Sequence, residues 1–106
     1  MKNEKQSENK APIIQAMVWY KEEDWEKLIE MFTDGHLLPK SYADWLEKAD
    51  KMVEQLEAAG DVVIKVFIDP VTFPAWCKKK GRKMDMKART DLAIEVATKQ
   101  SFGPKV

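Results

Sequence analysis

Two stretches decide the fold: "VFIDPVTFPAWC", residues 66–77, lies over "VWYKEEDWEKLI", residues 18–29. In that alignment Trp25 falls on Phe73, Leu28 on Trp76 and Ile29 on Cys77. Each stretch begins in an apolar, β-rich run and passes into a helix start. The upstream runs, "PIIQAMVWY" from Pro12 and "DVVIKVFID" from Asp61, are short and rich in β-branched and aromatic residues, the composition of strands. The first, nearly all apolar, reads as a strand covered on both faces.

After the first strand the acids of "KEEDW" sit where a helix N-terminus favours negative charge. Trp25, Leu28, Ile29 and Phe32 then recur at i, i+3, i+4 and i+7, which makes one apolar helical face, and Gly35 is read as its stop. Ser41 fits the N-cap of a second helix, with Asp44 three residues on. Trp45, Ala49, Met52, Val53 and Leu56 form its stripe, and Gly60 ends it. Following the second strand, Asp69-Pro70 opens a third helix, where Pro74 shortens the regular part to about two turns. Gly81 closes it. Asp85 caps a fourth helix whose apolar residues, among them Met86, Ala88, Leu92, Ala93 and Ile94, cover more than one stripe.

The expected order is β-α-α-β-α-α, a pseudo-repeat of the α/β class bordering on α+β. The single domain spans residues 11–100, between a disordered polar tail at 1–10 and a flexible C-terminus at 101–106. Two strands make a marginal sheet, so the expectation extends to a homodimer that completes four strands or buries the spare face of the fourth helix.

Composition narrows the chemistry. The 106 residues hold one cysteine and one histidine, which leaves no disulfide framework and no multi-thiolate or multi-histidine metal site within one chain. No cofactor is expected. Neither a signal-peptide pattern nor a run of about 20 apolar residues is present, so the expected location is cytoplasmic and no membrane partner is expected. The formal charge is zero, yet residues 11–61 carry 5 basic and 12 acidic residues (−7) while residues 62–106 carry 10 and 4 (+6). Such halves attract within one fold or head-to-tail between copies.

The conspicuous stretch is "WCKKKGRKMDMKAR", residues 76–89. Its candidate partner-binding residues are Lys78, Lys79, Lys80, Arg82, Lys83, Lys87 and Arg89. The plain reading places three lysines in a helix's last turn, where cations offset the dipole. The alternative is a nucleic-acid module meeting phosphates with this turn, against which stand the opening Asp85 and the lack of Asn and Gln to read bases. Cys77 beside the lysines is read either as a small core residue or as an activated thiol. Should the strands be parallel, Trp19, Tyr20 and Asp69 share the carboxyl edge where α/β sheets bind ligands, and with Cys77 and Arg89 they form a candidate pocket. P-loop, G-x-G-x-x-G, G-x-S-x-G and H-E-x-x-H motifs are all missing, and no catalytic set is assigned.

The pattern "VWY..EDW", "LLP.SYADWLEKA" and "V.IDP..F..WC...G", with the alanine-rich last helix, resembles a set of small bacterial proteins without assigned function, over residues 13–98. The resemblance implies a bacterial origin and a stand-alone domain, and it brings no activity. The expected function is thus a small, non-catalytic interaction or regulatory protein acting through charged helix faces and the basic turn. A nucleic-acid module, and a small enzyme or ligand-binding protein with a site at the strand ends, are the alternatives.

Overall fold

A computed structural model describes residues 11–102. The expected tail at 1–10 and residues 103–106 lie outside it. The element order is β1 (Ile14–Trp19), α1 (Trp25–Met31), α2 (Tyr42–Ala58), β2 (Val62–Phe67), α3 (Thr72–Lys80) and α4 (Met86–Phe102), with short 3₁₀ turns at Glu22–Asp24 and Gly35–Leu37. This is the expected small α/β fold, with α4 running two residues beyond the expected domain end.

The strands are parallel, in a register from Ile14 opposite Val62 to Trp19 opposite Phe67. Asp61 pins the start of that register. Its carboxylate accepts from the Ile13 N–H (3.3 Å) and from the Gln15 amide (3.2 Å). Side chains alternate between the two faces. Met17, Trp19 and Val63 pack on Ala49 and Val53 of α2, while Ala16, Val18, Ile64 and Val66 pack on Ala93 and Ala97 of α4. Each face of the sheet therefore carries one helix. The strands are covered above and below as expected, yet most of β1 is only half-buried, because among the described residues no strand lies beside its outer edge.

The largest core lies beyond the carboxyl ends of the strands, where Tyr20, Trp25, Leu28, Phe32, Ile68, Phe73, Cys77 and Ala88 are all buried. Trp25 and Phe73, partners in the pseudo-repeat, both reach it. So do the edge-on aromatic pairs Tyr20–Trp25 (5.6 Å between centroids) and Phe32–Phe73 (5.8 Å).

The caps follow the sequence. The Asp44 N–H donates to Ser41 Oγ (3.1 Å), and the Ala88 N–H donates to Asp85 Oδ1 (3.0 Å). Asp69 Oδ1 accepts from Val71 and Thr72 at the start of α3, where Pro74 sits in the first turn and costs no helical bond. Gly81, at φ 66°, is the left-handed end of α3, a conformation that suits glycine. Gly35 has a different role from the expected helix stop. The first helix ends earlier, at Met31, and Gly35 opens the next turn, pressed so closely on α1 that an added Cβ would collide with the Ile29 carbonyl.

Candidate functional site

Gly35 lets the loop between α1 and α2 fold tightly onto α1, and the same loop meets the turn between α3 and α4. The Thr33 N–H donates to the Met84 carbonyl (2.9 Å), which joins the corresponding connections of the two pseudo-repeats. Next to that link, Arg89 donates from both terminal nitrogens to the Asp34 carboxylate, at 2.8 and 3.0 Å. The guanidinium also lies 4.2 Å from the centre of the Phe32 ring and reaches the Tyr20 hydroxyl. Asp34 is held below the usual carboxylate range, first by the Arg89 hydrogen bonds. Burial pushes the Tyr20 phenol up to about 12, with Arg89 pulling the other way. Burial opposes the Arg89 charge as well, but Asp34 and Tyr20 outweigh it, so its pKa is raised. Of the ion pairs between described residues, this one joins the acidic first half to the basic second half.

The basic stretch is divided by these contacts. Arg89 is buried, hence not part of a basic surface. Arg82 donates to Asp91 (2.9 Å), and Lys87 reaches the same carboxylate (3.3 Å), which holds Asp91 below its usual range. Lys80 lies 3.9 Å from Glu95. Lys78, Lys79 and Lys83 are exposed, and among the described residues none forms an ion pair. Around Gly81, its own N–H and that of Arg82 are spent on the Lys78 and Cys77 carbonyls, which leaves no backbone cradle there for an anion.

Of the five expected pocket residues, Trp19, Asp69 and Cys77 lie apart from the cavity that Tyr20 and Arg89 line. Cys77 is buried in the main core, its sulfur 3.8 Å from the Lys83 carbonyl, and burial pushes its thiol up, opposite to an activated nucleophile. Asp69 is exposed and occupied with capping α3. Trp19 packs against α2, with Lys65 Nζ 4.2 Å over its ring. Tyr20 lines a cavity together with Arg89.

That cavity is a groove of about 720 Å³ running along the outer edge of β1. Ala16, Met17 and Val18 form its floor; Trp45 and Met52 of α2 and Met86, Arg89 and Thr90 of α4 form its walls; Leu37, Leu38 and Pro39 close its upper end. A second cavity of about 520 Å³ continues it past Ile14 to Ile94 and Thr98. Leu37, Met52, Met86, Ile94 and Ile14 are large apolar side chains left between 47% and 75% exposed, and all five line this trough. Sequence reasoning did not assign them to a site. The legible signal was the breadth of apolar cover on α4, where Ala88, Ala93 and Ala97 turn inward and Met86 and Ile94 remain outside.

Among the described residues no cluster of His, Cys, Asp and Glu could hold a metal ion, and no helix is long and apolar enough to cross a membrane. No family model, curated protein or solved structure matches the chain.

Proposed function

We propose that the protein is a small interaction protein without catalytic chemistry of its own, and that it works as a homodimer whose contact surface is the trough along β1. The supporting observation is an unpaired strand edge set in a groove walled by exposed apolar side chains. A contiguous apolar patch of this kind marks an interaction surface rather than ordinary protein exterior. The expected bacterial origin and cytoplasmic location belong to the same proposal.

The basic turn supports a nucleic-acid function less well. Four of its seven cations face carboxylates of the same chain, and among the described residues the three that remain, Lys78, Lys79 and Lys83, lie over no aromatic ring that could stack on a base. A ligand or enzyme site at the strand ends also has less support, since Tyr20 and Arg89 reach the groove with the Arg89 charge already paired with Asp34.

Light scattering on a sizing column at micromolar concentration tests the reading. A mass near twice the 12.3 kDa chain is expected, with a protein-like 260/280 nm ratio. A strict monomer, or nucleic acid that is released by salt, would refute it.

A further inference from the structure

The two outer edges of the sheet are built differently. The β1 ladder faces β2 through its odd-numbered residues, since the Ile13 and Trp19 carbonyls accept from Val62 and Ile68 of the second strand segment. Ile14, Ala16 and Val18 therefore aim their N–H and C=O groups at the open side. Between Ile14 and Trp19 there is no charge and no proline, the usual devices that keep an edge from pairing. By contrast β2, "VVIKVF", carries one charge, Lys65, whose backbone lies on its own outer edge while its Nζ reaches over the Trp19 ring. The edge of β1 is uncharged and lies on the floor of the groove, which makes it the receptive one.

Resting on the interaction reading above, we infer that the occupant of the trough is β1 of a second copy, running antiparallel about a two-fold axis at Ala16. In that register Ala16 faces Ala16 of the second copy and Ile14 faces Val18, so the three open-side residues map onto themselves. Each such facing pair exchanges two bonds, about six in all across the axis. The product is a four-stranded sheet in the order β2-β1-β1-β2. Its helices have room: two strands span roughly 10 Å, and a helix with its side chains is about as wide. Each copy has one helix per face, so two helices fit side by side over four strands. Ile14, Met52, Met86 and Ile94 become covered as the copies meet. The chain's own first ten residues do not suit the trough, since after Met1 they are all polar or charged.

Disulfide trapping reads the register directly. Oxidised glutathione is added to Ala16→Cys, Ile14→Cys and Val18→Cys at low micromolar concentration, with wild type, whose Cys77 is buried, as the background. Ala16→Cys is expected to cross-link at least tenfold faster than either other variant alone, and mixing Ile14→Cys with Val18→Cys is expected to recover that speed. Should Ala16→Cys not fold by circular dichroism, Gln15→Cys mixed with Met17→Cys replaces it, because those positions face each other in the same register. A wild-type dimer whose cysteine variants show no such preference overturns the inference and leaves the interaction reading standing. A wild-type monomer overturns both.

Discussion

The basic stretch from Trp76 to Arg89 and the β1 edge from Ile14 to Trp19 make opposite impressions in sequence and in structure. The first is crowded with charge, and much of that charge is spent inside the molecule, on Asp34, Asp91 and Glu95. The second is a plain apolar strand, yet it carries the unpaired backbone and the floor of the groove. Charge density along a chain reports where cations are, whereas a contact surface depends on which of them remain unspent and which apolar groups remain uncovered.

The largest expected effect lies at the point where the two regions meet. Arg89→Ala leaves the Asp34 carboxylate without its partner in a largely enclosed site. Breaking a buried pair in this way costs about 3 kcal/mol or more. For a domain of this size that lowers Tm by roughly 10 °C or more, readable by calorimetry. A shift of only a degree or two would mean that Arg89 behaves like the solvated cations.

Next in size is the edge itself. The Ala16 N–H points away from β2, so Ala16→Pro leaves the internal ladder intact and removes a donor from the open side. The dimer dissociation constant is expected to rise by tenfold or more in sedimentation analysis, with far-ultraviolet dichroism unchanged. The same measurement on a Lys78→Glu, Lys79→Glu, Lys83→Glu triple variant is expected to show wild-type association, with Tm lowered by a few degrees because acids replace the cations in the last turn of α3. Weakened association there would move the contact surface to the basic turn.

Confined to alkaline solution is a pH dependence at Tyr20. Its folded pKa, about 12, lies above the ordinary value of 10, so the folded chain holds the phenolic proton after the unfolded chain has lost it. Stability thus falls as pH rises from 10 to 12, by up to about 1.4 kcal/mol per pH unit from this group. Urea unfolding across that range should show a shallower decline in Tyr20→Phe. Tyr42, whose phenol is also pushed up by burial, keeps part of the slope in both proteins. Equal slopes would mean that the Tyr20 hydroxyl is not enclosed with Arg89.

Much of the fold was legible because its signals are local. Ser41, Asp69, Asp85 and Gly81 each act within a few residues of their own position, and each does in the structure what its spacing suggests. The pseudo-repeat was legible too, through Trp25 and Phe73 arriving in one core. Gly35 was misread because its constraint is tertiary in kind: a close approach to the Ile29 carbonyl, with no positive φ to announce a helix end. The candidate site was less legible. Asp34 and Arg89 stand 55 residues apart, and nothing in either neighbourhood marks them as partners. Met52 sat on the stripe expected to be core, yet α2 turns Ala49 and Val53 inward and leaves Met52 on the groove wall. One helical stripe is wider than the two-stranded sheet can cover, and the surplus becomes the trough.

The most direct test of the central claim is residue-resolved amide hydrogen exchange on the wild-type protein, followed from dilute to concentrated solution. The Ile14, Ala16 and Val18 amides are expected to gain protection as concentration rises, while Val63, Lys65 and Phe67 on the far edge of β2 stay fast throughout. Fast exchange at Ile14, Ala16 and Val18 at every concentration, or protection that grows along β2 instead, would contradict a contact surface at the β1 edge.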